Sequence, residues 1–167
     1  MSSIIPIYGE INQKSAAEVK GYLQKLKEVP HDKEIIFEFK SEGGNMESME
    51  KIKTFMYFMN YWGYKIIGRL IYAESAALLL FLNCEERQVK KESVGVIHMA
   101  TLNRKYDIRK LKNEREDQAT FIVRRCKYKI GWQEVFDLEG QRLGYQELLR
   151  FGFANKIVET FTLANQG

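Results

Sequence analysis

The sequence predicts an α/β fold with a mostly parallel sheet flanked by helices. Three observations lead there. Short β-branched or aromatic runs alternate with segments of helical period along the chain. No repeat, low-complexity tract or linker breaks that alternation, so the 167 residues read as a single domain. Hydrophobic residues make up 45%, including 10 Phe, 9 Tyr and 2 Trp, enough to fill a core and too many for a disordered chain.

Residues 4–8 are apolar and β-branched and stop at Gly9, which makes them a strand. Ser15 and Glu18 have the spacing of a capping box, in which each side chain satisfies a free backbone N–H at a helix start. Val19, Tyr22, Leu23 and Leu26 continue as one helical stripe, and Pro30 closes it. Residues 34–39 form a strand, followed by a Ser-Glu-Gly-Gly-Asn loop at 41–45. Met49, Ile52, Phe55, Met56 and Met59 mark a second amphipathic helix that ends at Gly63. Residues 64–72 are a strand. The run 76–82 is too apolar for a surface helix and reads as a buried one. Residues 87–91 and 94–98 are two further strands, 107–129 a long helix, and 145–158 a final helix and strand. Crossovers between the parallel strands should be right-handed.

Several function classes drop out. The run 76–82, at seven residues the longest unbroken apolar stretch, is far short of the roughly 20 that a membrane-spanning helix needs. The N-terminus has no basic region before a long apolar one, so it does not read as a secretory signal. Two cysteines, Cys84 and Cys126, cannot build a disulfide framework, and a reducing cytoplasm is the expected location. A net charge of +4 is too mild to indicate nucleic acid. Residues 104–129 carry ten Lys or Arg against four Asp or Glu, which reads as a solvated, salt-bridged helix face rather than a polyanion site. No cluster of His, Cys and carboxylates has metal-ligand spacing, and neither metal nor cofactor is expected.

Three short segments could carry chemistry. Gly43-Gly44, between a strand and a helix, permits a sharp turn or lets backbone N–H groups approach a developing oxyanion. Ser75 opens the buried helix, where the simplest reading is an N-cap. The same place puts its Oγ at the positive end of the helix dipole, beside the N–H of Ala76. The Gly-x-Ser-x-Gly elbow is absent, which argues against the α/β-hydrolases. His98 ends an apolar strand, where a satisfied core histidine and a general base are both open readings.

The order of these segments resembles the proteolytic subunit of the Clp protease, a self-compartmentalising serine peptidase. Ile5-Pro-Ile-Tyr-Gly-Glu-Ile11 matches that family's first strand and turn. Phe37-Glu-Phe-Lys-Ser-Glu-Gly-Gly44 is similar to its strand and Ser-Pro-Gly-Gly, with Glu42 in place of the proline. Tyr72-Ala-Glu-Ser-Ala76 looks like its Gln-Ala-Ala-Ser-Met, and Val96-Ile-His98 like its Met-Ile-His. Glu147-Leu-Leu-Arg-Phe-Gly-Phe153 resembles its Glu-Ala-x-x-Tyr-Gly-Leu ending.

The resemblance implies a ClpP/crotonase-like spiral of β-β-α units, with a handle-like helix at about 104–130. It implies a serine endopeptidase with Ser75 as nucleophile, His98 as base, and an oxyanion hole from the N–H groups of Gly44 and Ala76. It also implies a hexameric or heptameric homo-oligomeric ring acting on peptides or unfolded proteins. The Met56–Trp62 stretch, apolar around much of its helix, gives a physical reason to expect assembly. An AAA+ unfoldase is the family's partner, but the resemblance begins at the first core strand, so the usual N-terminal docking elements are expected to be missing.

Three departures bear on activity. The family's orienting aspartate falls on Gly140, with Asp137 and Glu139 nearby. Glu74 stands where the family has a small residue. Residues 100–106 contain no glycine, where the family has a glycine-rich strand. The alternative reading is therefore a catalytically weakened structural subunit or scaffold in a mixed assembly. A Ser-Lys peptidase, with a lysine from the basic helix as base, and a crotonase-type acyl-CoA enzyme are the remaining competitors.

Overall fold

The computed structural model describes residues 3–28, 34–99 and 108–161. Strand β1 (Ser3–Tyr8) leads through helix α1 (Gln13–Glu28) to β2 (Glu34–Ser41), and α2 (Met46–Tyr61) leads to β3 (Lys65–Glu74). Then come α3 (Ala76–Leu82), β4 (Glu86–Val96), α4 (Ile108–Arg125), α5 (Trp132–Asp137), β5 (Arg142–Leu143), α6 (Tyr145–Arg150) and β6 (Lys156–Ile157).

The strands lie side by side in sequence order, β1-β2-β3-β4-β5, and β6 pairs with β4. The pairs β1/β2, β2/β3, β3/β4 and β4/β6 are parallel, and only β4/β5 is antiparallel. Because each crossover advances the sheet by one strand, right-handed connections place successive helices on one face. Consistent with that, α1 packs on α2, α2 on α3 and α3 on α4. The core lies between this helical layer and the sheet. Ile5 and Ile7 of β1 point into it while Pro6 and Tyr8 face out, the period of two that a half-covered strand requires.

Helix α3 is buried at all seven positions, as its composition predicts. Helix α2 buries Met49, Ile52, Met56 and Met59 and leaves Tyr57, Phe58, Tyr61 and Trp62 exposed. Helix α1 starts earlier than expected. Asn12 is its cap, accepting from Ser15 N at 3.1 Å, while Ser15 Oγ accepts from Asn12 N at 2.8 Å. Ser15 is thus the returning half of the cap rather than its start.

The two strands expected at 87–91 and 94–98 are one strand, β4. Its register against β3 jumps from Leu70↔Val89 to Tyr72↔Val94. Ser93, buried inside the irregularity, accepts from Lys90 N at 2.9 Å and donates to Leu70 O. The β2/β3 register also slips here, from Phe39↔Leu70 to Lys40↔Tyr72, so Ile71 bulges against β2, while against β4 the extra residues are those of β4 at 90–93. Such bulges re-aim the residues that follow, here Tyr72 to Glu74.

Helix α5 and strand β5 are additions that sequence pattern does not show. They return the chain onto the end of β4, where Gly140 N donates to Ile97 O at 2.8 Å. Within the stretch 104–130, where a handle-like helix is expected, the structure has α4, 18 residues long; residues 104–107 and Pro30 lie outside the described residues.

The opposite end of the sheet is held by two arginines. Buried Arg87 donates to the carbonyls of Phe153 (2.8 Å), Cys84 (3.0 Å), Gly152 (3.2 Å) and Arg125 (3.3 Å). Arg125 donates in turn to Leu82 O at 2.7 Å and Cys84 O at 3.2 Å. These carbonyls lie at or beyond the C-terminal ends of α3, α4 and α6, where helices leave acceptors unpaired and favour cations.

Candidate active site

Ser75 sits between the last residue of β3 and the first of α3 with φ 57° and ψ −126°. Few non-glycine residues adopt a positive φ, and holding one there costs about 1–3 kcal/mol. Ser75 holds the N-cap position of α3, but its side chain makes no capping hydrogen bond. The backbone fixes the residue instead: Ser75 N donates to Val96 O at 3.3 Å, and Ser75 O accepts from Leu78 N at 3.0 Å and Leu79 N at 3.2 Å. Ala73 and Ala77, both fully buried, flank the turn at two residues on either side. This is a sharp strand-to-helix elbow made without the Gly-x-Ser-x-Gly motif.

The missing glycines come from the neighbouring strand. Gly43 has φ 95°, and a Cβ there would lie 2.7 Å from Glu74 O, 2.8 Å from Ser75 Cβ and 3.2 Å from Ala76 N. Gly44 has φ 152°, and its Cβ would lie 2.3 Å from Ile11 O. Ile11 N donates to Gly43 O at 2.9 Å, and Asn45 N donates to Ile11 O at 2.8 Å. Those bonds belong to the residues on either side of Gly44, which leaves Gly44's own N–H directed away from Ile11. The N–H of Ala76 is equally unused by its helix, because it lies in the first turn. Ser41, buried at the end of β2, stiffens the loop by donating to Gly9 O at 2.6 Å and accepting from Gly43 N at 3.0 Å.

His98 follows β4 at the same end of the sheet. It is half-exposed, which rules out the core-histidine reading. Among the described residues no hydrogen bond joins it to Ser75. Its Nδ1 lies 3.9 Å from Glu74 Oε1. Glu74 Oε2 accepts from Tyr72 Oη at 3.1 Å, and partial burial followed by that bond raises the Tyr72 phenol, which therefore stays a donor. Of the two carboxylates near the expected third position, Asp137 is on the surface, bonded to Gln133 at 3.0 Å. Glu139 is bound by Arg115 at 2.9 and 3.1 Å and accepts from Met99 N at 3.3 Å.

A cleft of about 830 Å³ opens along the loop, lined by Tyr8, Glu10, Lys40, Glu42, Gly43, Gly44 and Tyr72. Cys84 and Cys126 take no part: burial pushes both thiols up to about 12, so they are protonated and inert at neutral pH. Among the described residues, no group of three or more His, Cys, Asp and Glu side chains is placed to hold a metal ion. No helix among them is long and apolar enough to cross a membrane.

The fold is that of ClpP-like proteins. ClpP1 from Listeria monocytogenes superposes with a TM-score of 0.78 at 22% identity, covering 95% of this chain and 92% of that one. A point mutant of the same protein gives 0.77 at 23% identity, covering 94% and 91%. The Clp protease family model matches residues 1–124, and the chain belongs to that family. No curated protein matches the chain in sequence.

Gly44→Ala is expected to lower the unfolding free energy by about 2–4 kcal/mol in urea denaturation, because its Cβ strikes the Ile11 backbone. A loss below about 0.5 kcal/mol, the size of a neutral surface change, would show that the bridge to Ile11 yields freely.

Proposed function

We propose that this chain is a serine endopeptidase, folded as one peptidase domain over residues 1–167 and working inside a homo-oligomeric ring. The observation that carries the reading is Ser75, held at positive φ with no cap to make. Strain of this kind persists only where surrounding structure enforces it, and it exposes Oγ at a helix N-terminus.

In this reading Ser75 Oγ attacks the carbonyl carbon of a peptide lying in the cleft beside Gly43-Gly44. His98 takes the hydroxyl proton as the bond forms. The N–H groups of Gly44 and Ala76 stabilise the oxyanion of the tetrahedral intermediate. His98 then returns the proton to the leaving amine, and an acyl-enzyme remains on Ser75. Water, deprotonated by His98, attacks the acyl carbon and releases the second product. Nucleophile, base and oxyanion donors in these steps all belong to the one chain.

The exposed aromatic face of α2 supports assembly, since Tyr57, Phe58, Tyr61 and Trp62 present one apolar surface to solvent. The two unpaired buried cysteines fit a reducing cytoplasm.

Labelling with a fluorophosphonate probe tests the chemistry. The wild type should label on a single serine, with labelling lost in Ser75→Ala and reduced at least about 10³-fold in His98→Ala. Full labelling of His98→Ala would move the base to a lysine, and an unlabelled wild type in its assembled state would favour the scaffold reading. Light scattering should give a mass several times the 19.6 kDa of the chain at micromolar concentration. Tyr61→Lys combined with Trp62→Lys should shift that mass toward the monomer, and a wild type that is monomeric throughout would contradict the ring.

A further inference from the structure

A histidine base works only if its other nitrogen has an acceptor. That acceptor fixes the tautomer, aims the ring and stabilises the imidazolium that forms during attack. Three carboxylates are candidates for that acceptor. From α5 and the segment after it come Asp137, engaged by Gln133, and Glu139, held by two bonds to Arg115 of α4 and a third to the backbone of Met99. From β3 comes Glu74. Its two oxygens are divided: Oε2 accepts from Tyr72, and Oε1 is turned to Nδ1 of His98 at 3.9 Å. From β5, Arg142 lies 5.7 Å over the Tyr72 ring.

We propose that Glu74 is the positioning residue for His98, holding Nδ1–H from the residue adjacent to the nucleophile. This rests on the serine-peptidase reading. Tyr72 anchors the carboxylate as a second donor. The present separation is about 1 Å longer than a hydrogen bond, a difference that rotation of two partly exposed side chains closes when substrate or a neighbouring subunit covers them. The bulge at Ile71 matters here, because it sets which way Tyr72 and Glu74 face.

The test reads the tautomer of the neutral His98 ring by NMR of protein carrying ¹⁵N-labelled histidine, with His98→Ala for assignment. The wild type should carry its proton on Nδ1, and Glu74→Gln should lose that preference with mass and unfolding midpoint unchanged. Glu74→Asp should keep most of the wild-type tautomer ratio, and Asp137→Asn all of it. In parallel, fluorophosphonate labelling of Glu74→Gln should fall about 10²- to 10⁴-fold. An unchanged His98 tautomer ratio in Glu74→Gln overturns the proposal whether or not the protein labels. A wild type that labels, with Glu74→Gln labelling at the same rate, overturns it and leaves the peptidase reading standing. A wild type that never labels overturns the peptidase reading, and the positioning role with it.

Discussion

The contact between Gly43 and the β3–α3 turn organises this end of the molecule. Two backbones approach so closely there that a single methyl group has nowhere to go, with Glu74 O and Ser75 Cβ each under 3 Å from where it would lie. That contact needs glycine on one side and a strained serine on the other. It ties the loop after β2 to the first turn of α3, and so brings the backbone around Gly44 up against Ser75 and Ala76. The rest of the fold serves to hold the two strands at that separation. Ser41 locks the loop from below, Ile11 brackets Gly44, and the fully buried α3 cannot shift without opening the core.

The far end of the sheet explains how such strain survives. Arg87 and Arg125 gather carbonyls near the C-terminal ends of three helices into one cluster, linking α3, α4 and the segment after α6. Hydrogen bonds from a charged donor are the stronger kind, and an unpaired buried carbonyl is costly. With α3 pinned at its C-terminus by this cluster and packed along its whole length, its N-terminal turn has little freedom to relax. The strain at Ser75 is thus carried by packing rather than by any bond of its own side chain.

Much of this was legible in the sequence, and the illegible parts share a cause. The spacing of Met49, Ile52, Met56 and Met59 places α2, and the unbroken apolar run places α3, because burial over two or more turns leaves a periodic trace. The parallel order follows from alternation alone. Helix α5 and strand β5 escape because six and two residues are too few for any period. The cap at Asn12 escapes because Ser15 and Glu18 offer an equally good box. Gly43-Gly44, Ser75, Ala76 and His98 were each visible as residues, yet the features that distinguish them are a backbone angle and an exposed ring. Nothing local encodes these, since the space at Ser75 is provided by another strand. The pairing of His98 with Glu74, and the engagement of Glu139 by Arg115, are long-range contacts that no spacing rule contains.

The site depends on two backbone N–H groups and one strained serine acting on the same oxygen. A crystal structure of the protein with a phosphonate bound to Ser75 would show this: a phosphonyl oxygen should lie about 2.7–3.1 Å from both Gly44 N and Ala76 N, with Ser75 still at positive φ. An oxygen turned to solvent, or a Ser75 relaxed to negative φ, would contradict it.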